Sequence, residues 1–150
     1  MPGGHYAFGA GTVGAVALAV GAAKCDLGFG QAIALGILCN ALVCLAVWLS
    51  YSGRTTADKI LAIVPPITAF VAAGFEHSIA NMYFIPMALL IKLYAPQTFW
   101  NDIAATPGDY PELTLDRYLV GNIFPVTLGN IIGGALLVGI VYWFVYLRRR

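Results

Sequence analysis

The run AFVAAGFEHSIANMYFIP, residues 69–86, places two ionisable side chains, Glu76 and His77, side by side in apolar sequence. Imidazole titrates near neutral pH and can both donate and accept a hydrogen bond. It can therefore hand a proton to a passing anion and take it back. The neighbouring carboxylate can accept backbone N–H groups at the start of a helix, where the helix dipole favours an anion. Glu76 is thus expected to be mainly a brace, and His77 the group that faces a passage. A third polar side chain, Asn40, sits in LGILCNALVCLAVW, where its amide needs partners in dry surroundings. A hydrogen bond between helices meets that need; so would contact with the Glu76–His77 pair.

Such groups need elements to hold them, and composition says what kind. The 150 residues are 60% hydrophobic and 10% charged, with a mean hydropathy of +0.81, whereas soluble domains carry about 25% charged residues. No charge falls between Gly28 and Tyr51 or between Tyr118 and Leu147, and only Glu76 and His77 fall between Ile60 and Ile91. Each stretch exceeds the roughly 20 residues that cross a bilayer as a helix. The fold class is an all-α membrane protein, read as a single membrane domain over residues 1–150. A net charge of +1 gives no electrostatic footprint for nucleic acid. No catalytic triad, phosphate loop or metal-ligand spacing is present, and His5 and His77 do not read as ligands of one site. The expectation is no enzyme, no cofactor and no metal. Cys25, Cys39 and Cys44 read as small buried hydrophobes.

Along the chain, residues 6–23 read as a short interfacial helix rich in Gly and Ala. Residues 28–51 read as a membrane crossing. Residues 60–91 are too long for one upright helix and too short for two crossings, and contain Pro65, Pro66, Gly74 and Pro86. They read as one broken crossing, starting near Pro65–Pro66, with an irregular link near residues 73–78. Irregular backbone at membrane depth survives only where protein buries it or it lines a cavity. Residues 94–117, with Asp102, Asp109, Glu112 and Asp116, read as a loop outside the membrane. Residues 118–147 read as the last crossing, opening on an interfacial GNIFPVTLGN. Gly129 and Gly133 form a small-xxx-small step suited to close packing, within the subunit or between subunits.

Lys and Arg placement sets orientation. Arg54, Lys59 and Arg148–Arg150 share one face if residues 60–91 cross once, so that face and the C-terminus are expected in the cytoplasm and loop 94–117 in the periplasm.

GILCNALVCLAVWLSYSGRTTADK, FVAAGFEHSIANMYFIPM and GNIFPVTLGNIIGGALLVGIVYWFVYL together resemble the formate/nitrite transporter family, and its bacterial formate channel branch in particular. The resemblance runs in order from about Phe8 to Leu147. It implies an aquaporin-like bundle of two inverted repeats, of which this chain is one, in a homopentamer with a pore in each subunit. The first three helices of the six-helix subunit are absent. The chain is therefore expected to be a fragment of a larger one or to be completed by another polypeptide. Residue by residue, the resemblance implies His77 as the central pore histidine and Phe70 as the aromatic ring of the cytoplasmic constriction. It implies Asn40 and Glu76 as supports of the break, and Lys24 as an outer vestibule cation; without it, Lys24 reads as a snorkelling helix-end lysine.

The expected function is passage of small monovalent anions across the inner membrane, formate first, with nitrite or hydrosulfide as other candidates. A bare carboxylate moved into low dielectric costs several kcal/mol even after relaxation. Attraction by Lys24 followed by protonation from His77 would remove that cost. The rival readings are a neutral-solute channel of the water or glycerol type and a non-transporting membrane subunit.

Overall fold

In a computed structural model the described residues are 4–148. Residues 1–3, Arg149 and Arg150 lie outside them, so the expected basic end is described only at Arg148. The helices are α1 (Thr12–Cys25), α2 (Phe29–Ser50), α3 (Thr56–Ala72), α4 (Ser78–Tyr94), α5 (Gln97–Asp102) and α6 (Arg117–Leu147). The chain forms two compact units, Met1–Gly28 with Ile79–Phe124 and Phe29–Ser78 with Pro125–Arg150.

In the first unit, α1 begins later than the sequence suggests. Gly9, Ala10 and Gly11 all have positive φ, at 63°, 54° and 81°, a left-handed run that no helix continues through. Gly21 of α1 lies so close to the Ala88 methyl of α4 that a Cβ there would collide with it. Leu18, Ile85, Ala88 and Leu89 form the centre of this core. Residues 94–117 do more than loop. They contain α5, and Phe99, Trp100 and Leu113 are buried in the same core. Tyr6 meets the Phe99 ring edge-on at 5.2 Å. The Lys92 ammonium donates to the carbonyls of Tyr110 and Leu113 at 2.8 and 3.0 Å, which ties the segment to the end of α4. Three apolar anchors in a polar, acidic stretch thus fold it back onto the helices.

In the second unit, α2 and α6 pack in parallel. A Cβ on Gly36 would stand 2.8 Å from the Val126 carbonyl, and one on Gly129 or Gly133 would strike the carbonyl of Ile33 or Ile37. The paired positions advance together along both helices, and Trp48 meets Tyr142 and Tyr146 near their C-terminal ends. The small-xxx-small step therefore serves contact within the chain. From Phe124 to Ile131, α6 is α-helical; on either side it winds wider, with i→i+5 bonds such as Arg148 N–H to Trp143 O.

Helix α3 starts at Thr56, before the prolines that were expected to mark it. Asp58 N–H donates to Thr55 Oγ1 at 3.2 Å and Thr55 N–H donates to Asp58 Oδ2 at 2.9 Å, a reciprocal cap that satisfies two orphan donors. Pro65 and Pro66 lie inside the helix. Many large apolar side chains, Leu61, Leu93 and Ile140 among them, stand exposed. Helices α2 and α6 are each long and apolar enough to cross a bilayer.

Thr55→Ala should speed amide exchange in the first turn of α3 by about fivefold, the weight of a lost cap. The Thr55 N–H holds the Asp58 carboxyl below its ordinary range. Its contribution is therefore present above the unfolded carboxylate value and is lost as pH falls through the depressed one; amide exchange in that turn, measured down a pH series, should show it. Gly133→Ala should lower stability in detergent by about 1–3 kcal/mol, the cost of overpacking. Gly121→Ala, whose Cβ would meet Arg117 Cδ at 3.6 Å and Arg117 Cβ at 4.0 Å, should not.

Candidate functional site

The candidate site is the break between α3 and α4. Helix α3 ends with Gly74 N–H donating to Val71 O and Phe75 N–H to Phe70 O, both at 3.1 Å, while Gly74 sits at φ 67° with open space around it. This is a Schellman closure, and it needs a residue that tolerates the left-handed region. Phe75, Glu76 and His77 then run without helical bonds before Ser78 begins α4.

One side chain holds this irregular segment. Asn130, on the α-helical part of α6 and only 6% exposed, donates from Nδ2 to Gly36 O at 2.9 Å and to Glu76 O at 3.0 Å. Its Oδ1 accepts the Ser78 N–H at 2.9 Å and the Ser78 hydroxyl at 3.0 Å. The residues on both sides of His77 are thus clamped by the same amide. Glu76 N–H adds a longer bond of 3.4 Å to Leu35 O. Gly36 lets this happen, because a side chain there would stand 3.2 Å from Asn130 Nδ2.

The sequence-predicted residues fall out as follows. His77 is half-buried, with its ring 6.4 Å from that of Phe70 and tilted by 34°. Glu76 is 3% exposed. At Ser78, the first residue of α4, the backbone N–H is taken by Asn130. Asn40 donates to the backbone carbonyl of Asn130 at 2.7 Å, a bond between α2 and α6. It therefore supports the residue that holds the break. Lys24 belongs to the other unit, at the end of α1, with its ammonium 5.9 Å from the centre of the Phe84 ring. Its carbonyl accepts Asn122 Nδ2 at 2.8 Å, and Asn81 Nδ2 donates to Asn122 Oδ1 at 2.7 Å. Cys25 and Cys39 are buried, as expected, whereas Cys44 is half-buried.

Asn81, Asn122 and Asn130 were missed from sequence as holding residues. A single asparagine carries no spacing signal, and the GNIFPVTLGN run that contains two of them looks like polar edge sequence. Only the rule that a buried amide must be bonded points to them. Asn130→Leu should leave the Ser78 N–H and the Gly36 and Glu76 carbonyls without this partner, each at about 1–3 kcal/mol. The expected result is fast amide exchange at residues 75–79 with α2 and α6 still helical by circular dichroism.

Comparison with known proteins places this geometry. The formate/nitrite transporter family model matches residues 3–144. The chain is 52% identical over 120 residues to the formate channel FocA of Escherichia coli K12, covering 80% of this chain and 42% of that protein. It is 50% identical over 121 residues to FocB of the same organism, covering 81% of this chain and 43% of the relative. A solved pentameric formate channel with formate bound superposes with a TM-score of 0.90 at 44% identity, over 96% of this chain and 56% of that one. A solved FNT family ion channel gives 0.68 at 30% identity, over 93% and 50%. The chain spans less than half the length of the curated relatives it matches. Matched over nearly all of its own length, this all-α membrane protein belongs to the formate/nitrite transporter family.

Proposed function

We propose that this chain contributes one repeat of a pore for small monovalent anions, formate first, with nitrite and hydrosulfide as further candidates. The observation that carries the reading is His77 on a clamped helix break beside Phe70, in a chain half identical to formate channels. Fixed backbone on both sides gives the ring a defined position without tying its nitrogens to the clamp. Formate approaching the ring as the anion takes the imidazolium N–H proton and becomes formic acid, leaving neutral imidazole. The neutral acid crosses the apolar constriction at Phe70 far more cheaply than the anion. It returns its proton on leaving.

Lys24 serves as the outer cation that concentrates the anion. Asn40 and Glu76 support the break. The rest of the pore comes from the complementary repeat, and the assembly is a homopentamer in the inner membrane. Arg54 and Lys59 follow α2 and Arg148 ends α6, at neighbouring helix ends, which supports a cytoplasmic C-terminus.

The test is formate flux into liposomes that hold the native assembly containing this chain. His77→Phe should abolish the pH dependence of that flux. Unchanged dependence would remove the proton step. Glycerol permeation at a rate comparable with formate would favour a neutral-solute channel, and no flux of either would favour a non-transporting subunit.

A further inference from the structure

The neighbouring C-terminal ends of α2 and α6 enclose a groove of about 220 Å3. Val47, Trp48 and Tyr51 form one wall, Val138 and Tyr142 the other, and Gly139 leaves room between them. Tyr146 stacks on Tyr142 at 5.0 Å and meets Trp48 at 6.0 Å, so indole and phenol rings gather at one end of the groove. Aromatic clusters of this kind mark the level of lipid headgroups.

Beyond the aromatic rim the chain is basic. Arg54 follows Tyr51 by three residues, so its Cα lies within about 11 Å of that of Tyr51. Lys59 is folded back against Gly53, with its Cγ 3.0 Å from where a glycine Cβ would stand. Arg148 follows Tyr146 by two residues, and its guanidinium lies 5.0 Å from the centre of the Phe144 ring. Asp58, the one acid between Tyr51 and Lys59, accepts the N–H groups of Arg54 and Thr55. Next in sequence to the aromatic rim there are thus three cations against one carboxylate, and that carboxylate is already engaged by backbone.

We propose that this groove holds an acyl chain of an anionic phospholipid whose headgroup is met by Arg54, Lys59 and Arg148. Size, chemistry and charge agree on this occupant. The groove is far too small for a helix about 10–12 Å across. Its walls are apolar, and its open end pairs interfacial aromatics with cations, the arrangement by which basic pockets between membrane helices select anionic headgroups. The site does not depend on which solute the pore carries.

The test uses the native assembly in nanodiscs that contain either dibromo-phosphatidylglycerol or dibromo-phosphatidylcholine. The difference in fluorescence between wild type and Trp48→Phe isolates the Trp48 ring, whatever other indoles are present. Brominated phosphatidylglycerol should quench it at about tenfold lower mole fraction than phosphatidylcholine. Joint Arg54→Gln, Lys59→Gln and Arg148→Gln should erase that preference while leaving quenching by phosphatidylcholine unchanged. Gly139→Leu fills the groove with the charges intact, and its Cβ meets nothing closer than Gly134 O at 3.4 Å; it should erase the preference too. Equal quenching by the two lipids in wild type overturns the proposal. So does no quenching by either, which means that polypeptide covers the groove, and so does a preference that survives Gly139→Leu, which means diffuse attraction only.

Discussion

A backbone that leaves the helix in dry surroundings must find every lost hydrogen bond again, because no water is there to supply it. The break between α3 and α4 meets that constraint in two ways. Its first side closes on itself, through the Schellman bonds around Gly74. Its second side cannot, and borrows from α6 through Asn130, whose one amide engages Gly36, Glu76 and Ser78 together. The position of His77 is a by-product of this satisfaction: a ring between two tethered residues has little backbone freedom left. Rigidity of the site thus comes from polar accounting rather than from bulk.

Close helix approach is the condition for that arrangement. Asn130 reaches a backbone carbonyl of α2 only because Gly36 and Gly129 remove the side chains that would hold the helices apart. The same economy recurs in the first unit, where Gly21 meets Ala88 and Asn122 bridges Asn81 to the end of α1. In both units glycine sets the spacing and asparagine uses it.

Much of this was legible in the residues and some was not. Two charge-free stretches and a third interrupted only by Glu76–His77 declared the long helices, and Gly74 with Glu76–His77 declared the break, because charge and left-handed backbone are local signals. The start of α3 was readable in the Thr55–Asp58 spacing but was overshadowed by Pro65–Pro66, which a membrane helix tolerates. Residues 94–117 read as loop because prolines and acids outnumber the three anchors that fold it down. Asn130 was invisible in its role, since its partners lie 52 to 94 residues away and nothing in neighbouring sequence announces them.

The long separation between Asn130 and Ser78 has a consequence for biosynthesis. The ribosome delivers the broken helix first and the residue that secures it 52 positions later. At about 5–20 residues per second, that gap lasts roughly 3–10 s. Throughout it the Ser78 amide and the Glu76 carbonyl await their final partner, within the insertion machinery or beside a temporary companion. Maturation of the site is therefore a late event, timed by the emergence of the last helix rather than by that of the histidine itself.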